Sequence, residues 1–88
     1  MKLERVYPDE KGKCSYPPGS YGFENGVWYF RHPDCHLGSL EKHQVIVHGD
    51  HTITVSPSIL HRDFKIVDGK TVEYQVHGFI ERGIWRDC

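Results

Sequence analysis

The sequence predicts a mostly β fold, a small antiparallel sheet or partly open barrel built from hairpins, and three observations carry that expectation. Short apolar segments are separated by the dipeptides Asn25-Gly26, Gly49-Asp50 and Asp68-Gly69, whose residues suit tight hairpin turns. The run Tyr16-Pro17-Pro18-Gly19 breaks helices and ladders and marks a turn into the folded body. No twelve-residue stretch keeps a helical period.

Residues 1–15 read as a charged lead-in, because Lys2, Glu4, Arg5, Asp9, Glu10, Lys11 and Lys13 show little periodicity. Residues 16–88 read as one β domain. Its first hairpin joins Tyr21–Glu24 to Val27–Phe30 through Asn25-Gly26. That register pairs Phe23 with Trp28 and Tyr21 with Phe30, four aromatics on one face. A short helical turn is expected at Leu37–Lys42, with Ser39 as its cap. The second hairpin joins Gln44–His48 to His51–Val55 through Gly49-Asp50, which sets His48 across from His51. The third spans Phe64–Tyr74. A three-residue loop, Val67-Asp68-Gly69, is expected there because it gathers Phe64, Ile66, Val72 and Tyr74 on one face. The last runs from Val76–Ile80 through Glu81-Arg82-Gly83 and back along Ile84–Cys88.

A chain of 88 residues buries only about 60 to 65% of the surface its unfolded form exposes, so the core needs reinforcement. Three cysteines, Cys14, Cys35 and Cys88, make an odd number that fits a reducing cytoplasm better than a disulfide framework. No segment approaches the ~20 apolar residues of a membrane span. With 11 Lys and Arg against 12 Asp and Glu, nothing in the charge points to nucleic acid.

The seven histidines and three cysteines suggest a metal instead. His32-Pro33-Asp34-Cys35 offers two donors separated by two residues, and His77 and Cys88 lie on opposite arms of the last hairpin, directly across if its turn is Arg82-Gly83 and diagonal if the loop has three residues. Two thiolates and two neutral imidazoles balance a zinc ion's charge at four tetrahedral corners. The competing explanation makes Cys35 a small buried hydrophobe and the histidines ordinary loop or strand residues. A second set, His36, His43, His48 and His51 with Asp50, would suit an open, hydrolytic metal site, although polar residues around a turn are commonplace. Cys14 has no evident base, Ser56 and Ser58 lack a nucleophile elbow, and no phosphate loop occurs. Trp28, Tyr29, Phe30, Phe79 and Trp85 fall where a core is expected rather than a base-stacking platform.

Thr54-Val55-Ser56-Pro57-Ser58-Ile59 and the run from His77 to Cys88 resemble an uncharacterised family of small bacteriophage and mobile-element proteins. Its members show a paired-cysteine segment after an aromatic strand, a "TLSPSI" stretch, and a "CH-x-F-I-x-x-G-x-I" hairpin ending in "DC". The resemblance covers about residues 28–88. It implies that His32 and Cys35 stand at the first cysteine pair and that His77 and Cys88 match the later His and Cys, all four binding zinc. Here His32 replaces the first family cysteine and Val76 the one before the later histidine. The expected function is a zinc-stabilised accessory module that binds a host protein, such as a defence component. A metal-dependent hydrolase or nuclease and a virion or assembly component are the alternatives.

Overall fold

The computed structural model describes residues 1–88 and contains eight strands and no helix: β1 (Glu4–Arg5), β2 (Ser20–Glu24), β3 (Val27–Arg31), β4 (Gly38–Ser39), β5 (Gln44–Val47), β6 (Ile53–Val67), β7 (Lys70–Glu81) and β8 (Ile84–Asp87). They form two four-stranded sheets, β1-β2-β3-β4 and β5-β6-β7-β8, every pairing antiparallel except β1 with β2. The mostly β expectation holds. Its form is two open sheets sharing one core, not a single sheet or a barrel.

Tight turns set most of the registers. Asn25 and Gly26 (φ 51° and 79°) close β2–β3, and Tyr21 meets Phe30 while Phe23 meets Trp28, as the sequence predicts. Arg82 and Gly83 (φ 47° and 78°) close β7–β8, putting Ile80 opposite Trp85. The β5–β6 connection differs from expectation. Val45 pairs with Val55 and Val47 with Ile53, so Gly49, Asp50 and His51 fill a longer loop with His51 at φ 70°. Asp50 braces it by accepting from the Thr52 backbone N–H at 3.1 Å and hydroxyl at 2.6 Å. This register sets valine opposite valine and lets Val45, Ile53 and Val55 share the core side. No helical turn forms at residues 37–42; Gly38 and Ser39 pair with Phe30 and Tyr29 instead.

The core gathers residues from both sheets: Tyr21, Phe30 and Leu40 on one side, Ile53, Val55, Ile59, Ile80 and Trp85 on the other. Phe30 and Trp85 stack nearly parallel, 6.0 Å between ring centroids. The charged lead-in takes part in this core. Leu3 is buried, its N–H donates to the Gly83 carbonyl at 2.8 Å, and the Val6 N–H donates to the Tyr21 carbonyl at 2.8 Å. Met1 accepts from the Trp85 N–H through its carbonyl at 2.7 Å, so the first six residues lace the two sheets together. The mismatch with the sequence reading has a simple cause: one buried leucine among charged neighbours leaves no periodic signal.

Beyond its pairing with β5 at Ser56 and with β8 at Gly78, the β6–β7 pair continues as a two-stranded ribbon. Its loop is the two-residue Asp68-Gly69 (φ 50° and 75°), closed by Val67 opposite Lys70. The expected three-residue loop does not form. Phe64 therefore faces Glu73 and Ile66 faces Thr71, while Val72 and Tyr74 lie on the opposite side.

Candidate metal centre

The turn after β3 is fixed from three directions. The Cys35 N–H donates to the His32 carbonyl at 3.0 Å, and the Asp34 N–H donates to His32 Nδ1 at 3.1 Å. Arg31 reaches around it, Nε donating to the Cys35 carbonyl at 3.1 Å and Nη1 to the Tyr16 carbonyl at 2.9 Å. The turn presents a buried Cys35 to the second sheet, where His61 and Asp63 alternate with Arg62 along β6 and so share one face. The Cys35 sulfur, a His61 ring nitrogen and an Asp63 carboxylate oxygen all lie within 4.8 Å of one another.

Two further side chains complete the setting. His36 donates its backbone N–H to Asp63 Oδ2 at 2.6 Å, and its Nδ1 lies 2.9 Å from both carboxylate oxygens. Tyr74, directly across the ladder from Asp63, donates its hydroxyl to the Asp34 carbonyl. Its oxygen stands 3.5 Å from Asp63 Oδ2. The His36–Asp63 and Tyr74–Asp34 contacts join the first sheet's loop to the second sheet.

The electrostatics follow from this packing. The backbone N–H and imidazole of His36 hold the Asp63 carboxyl well below the usual carboxylate range, so it is an anion. Burial pushes the Cys35 thiol up against an opposing Tyr74 hydrogen bond, and the Asp63 and Asp34 carboxylates add to the rise, so the thiol is held in its protonated form. Burial also raises the Tyr74 phenol, to about 12. His61 Nε2 is buried with no hydrogen-bond partner, as are Arg5 Nε, the Tyr16 hydroxyl and His43 Nδ1, and of these His61 alone belongs to this group. A buried imidazole nitrogen left unpaired costs about 1 to 3 kcal/mol, which a ligand at that atom removes. Its ring lies edge-on to Phe30 at 5.6 Å and passes over Gly38, where any larger residue would intrude.

Of the four residues that the sequence singles out as ligands, Cys35 alone belongs to this group. His32 is buried, but its ring stands edge-on to Trp85 at 5.1 Å and its Nδ1 already accepts from Asp34. Burial lowers the His32 pKa, consistent with a neutral packed imidazole. His77 and Cys88 do face each other, the Cys88 N–H donating to the His77 carbonyl at 2.9 Å. Both are exposed, and His77 Nε2 lies 3.1 Å from the Ser58 hydroxyl. The second histidine set is dispersed: His36 binds Asp63, His43 Nε2 lies 3.3 Å from the Ser58 carbonyl, His48 Nε2 is 2.6 Å from the Thr54 hydroxyl, and the His51 carbonyl accepts from Arg5. Sequence reasoning missed His61 and Asp63. A His-x-Asp pair in a strand puts both side chains on one face, a signal available without the fold.

These residues define a class: a two-sheet β module with a thiol, an imidazole and a carboxylate converging where its sheets meet. Such donors suit a borderline divalent metal better than magnesium or calcium, which prefer all-oxygen sites. The chain has no match among family models, curated proteins or solved structures.

Proposed function

We propose that this chain is a zinc-stabilised accessory module that acts by binding a host protein through the β6–β7 ribbon. One observation carries the reading: Leu60, Phe64 and Ile66 stand in a row on one face of the ribbon, 50%, 56% and 77% exposed, with nothing of this chain covering them. Arg62 stands between Leu60 and Phe64 on this face, and exposed apolar side chains set among polar ones on a ribbon mark an interaction surface. Its charged neighbours on that face are Arg62 and Glu73, one of each sign, beside Thr71, Gln75 and His77, which suits a mixed protein surface rather than a phosphate backbone. The resemblance to phage and mobile-element proteins favours a bacterial defence component as that host protein.

The test compares tagged wild-type protein with a Phe64→Glu, Ile66→Lys variant in pull-downs from bacterial lysates. The reading expects one host protein to be retained at stable stoichiometry by the wild type and lost with the variant. Retention of nothing specific, or equal retention by both forms, contradicts it. A regular self-assembled oligomer with no host protein attached would favour the assembly-component alternative.

A further inference from the structure

We infer that a zinc ion binds at the seam between the sheets, ligated by Cys35, His61 and Asp63, with His36 holding the Asp63 carboxylate in place. Zinc here rests on the stabilising-metal half of the reading above; its β6 ligands His61 and Asp63 point to the ribbon face opposite Leu60, Phe64 and Ile66. It also assigns ligands that the His-x-x-Cys spacing does not: two of the three come from β6.

Four features of the seam support it. The donors are a thiol, an imidazole and a carboxylate, each a zinc ligand in its deprotonated form. One thiolate and one carboxylate balance the ion's charge, so a half-buried site need hold no uncompensated charge. Bond lengths of about 2.0 to 2.3 Å place tetrahedral donors roughly 3.5 Å apart, and the three donor atoms already lie within 4.8 Å of one another. The buried, unpartnered His61 Nε2 supplies the independent sign that something is missing from the ring's surroundings. A histidine selected for packing alone would gain nothing from a buried bare nitrogen.

His36 acts on the site through Asp63. It is 76% exposed at the side chain while Asp63 is 13% exposed, and it binds both carboxylate oxygens, the outer-layer contact that orients metal-ligating carboxylates. Three protein donors leave the fourth corner to water. On binding, the Cys35 proton is released to solvent and the sulfur forms the metal bond, with no change of oxidation state.

The experiment strips the full-length protein with chelator and titrates it with zinc alone, then repeats the titration with cobalt(II) as a spectroscopic stand-in. We expect one equivalent bound, with a near-ultraviolet thiolate-to-cobalt band. Cys35→Ser should abolish that band, whereas Cys14→Ser and Cys88→Ser should keep it. Asp63→Asn should keep the band and weaken binding at least tenfold. His36→Ala should weaken it about 10- to 100-fold without loss of stoichiometry. Because Cys35→Ser can disturb folding, circular dichroism accompanies each variant, and the Cys88→Ser and Asp63→Asn results stand without it. The ribbon variant Phe64→Glu, Ile66→Lys should bind zinc normally, which separates failure of this site from failure of the partner surface. No stoichiometric zinc overturns the assignment. So does a band that survives in Cys35→Ser, or one lost in Cys88→Ser or His77→Ala, which would move the ion to the far end of the last hairpin.

Discussion

Gly38 shows how closely the two sheets approach at the seam. A Cβ there would stand 2.9 Å from Phe30 Cε1 and 3.0 Å from the His61 ring, and the buried Phe30 cannot withdraw. Gly38→Ala should therefore cost about 1 to 3 kcal/mol by overpacking, read from denaturant unfolding; an unchanged midpoint would mean the contact is slack. His32 supports a pH prediction. Burial lowers its pKa, so the folded protein binds that proton less readily than the unfolded chain. Its contribution is present above the unfolded value near 6.5 and is lost as pH falls below it, at no more than about 1.4 kcal/mol per pH unit. His32→Asn keeps an acceptor for Asp34 and should flatten the fall in stability between pH 7 and 5 relative to wild type; parallel curves would contradict this. At this scale the sequence was half legible. The spacing brought His32 and Cys35 into one turn, but Trp85 and His61, which draw the two side chains to different neighbours, arrive from the other sheet.

Hairpins were the most readable elements, and the two misread registers failed in opposite ways, according to whether a face is buried. In β2–β3 the Asn-Gly turn and the aromatic face agree, so either signal suffices. In β5–β6 burial of Val45, Ile53 and Val55 overrode the dipeptide and lengthened the loop. In the ribbon neither face is packed along its outer half, so apolar patterning had no hold on the register and Asp68-Gly69 decided it. The same openness yields a prediction: Phe64→Glu with Ile66→Lys should change the unfolding free energy by less than about 1 kcal/mol. A larger loss would show that the row is already buried in a self-association, and sedimentation would reveal it.

The whole molecule depends on joining two small sheets that each bury one face. The opening residues lace them on one side: Leu3 fills the shared core, and Leu3→Ala should cost about 2 to 5 kcal/mol, measured by denaturant unfolding, with a loss under 1 kcal/mol contradicting its role. The seam of Cys35, His36, Asp63 and Tyr74 joins loop to strand elsewhere. None of this was visible in a chain read one segment at a time, because each connection pairs residues distant in sequence. Thermal unfolding of metal-free and zinc-loaded protein tests the seam most directly. With free zinc a hundredfold above its dissociation constant, an ion bound only by the folded form adds about 2.7 kcal/mol, which for a domain this size raises Tm by roughly 10 to 20 °C. The account predicts that rise in wild type and its loss in Cys35→Ser; superimposable melts in chelator and in zinc would contradict it.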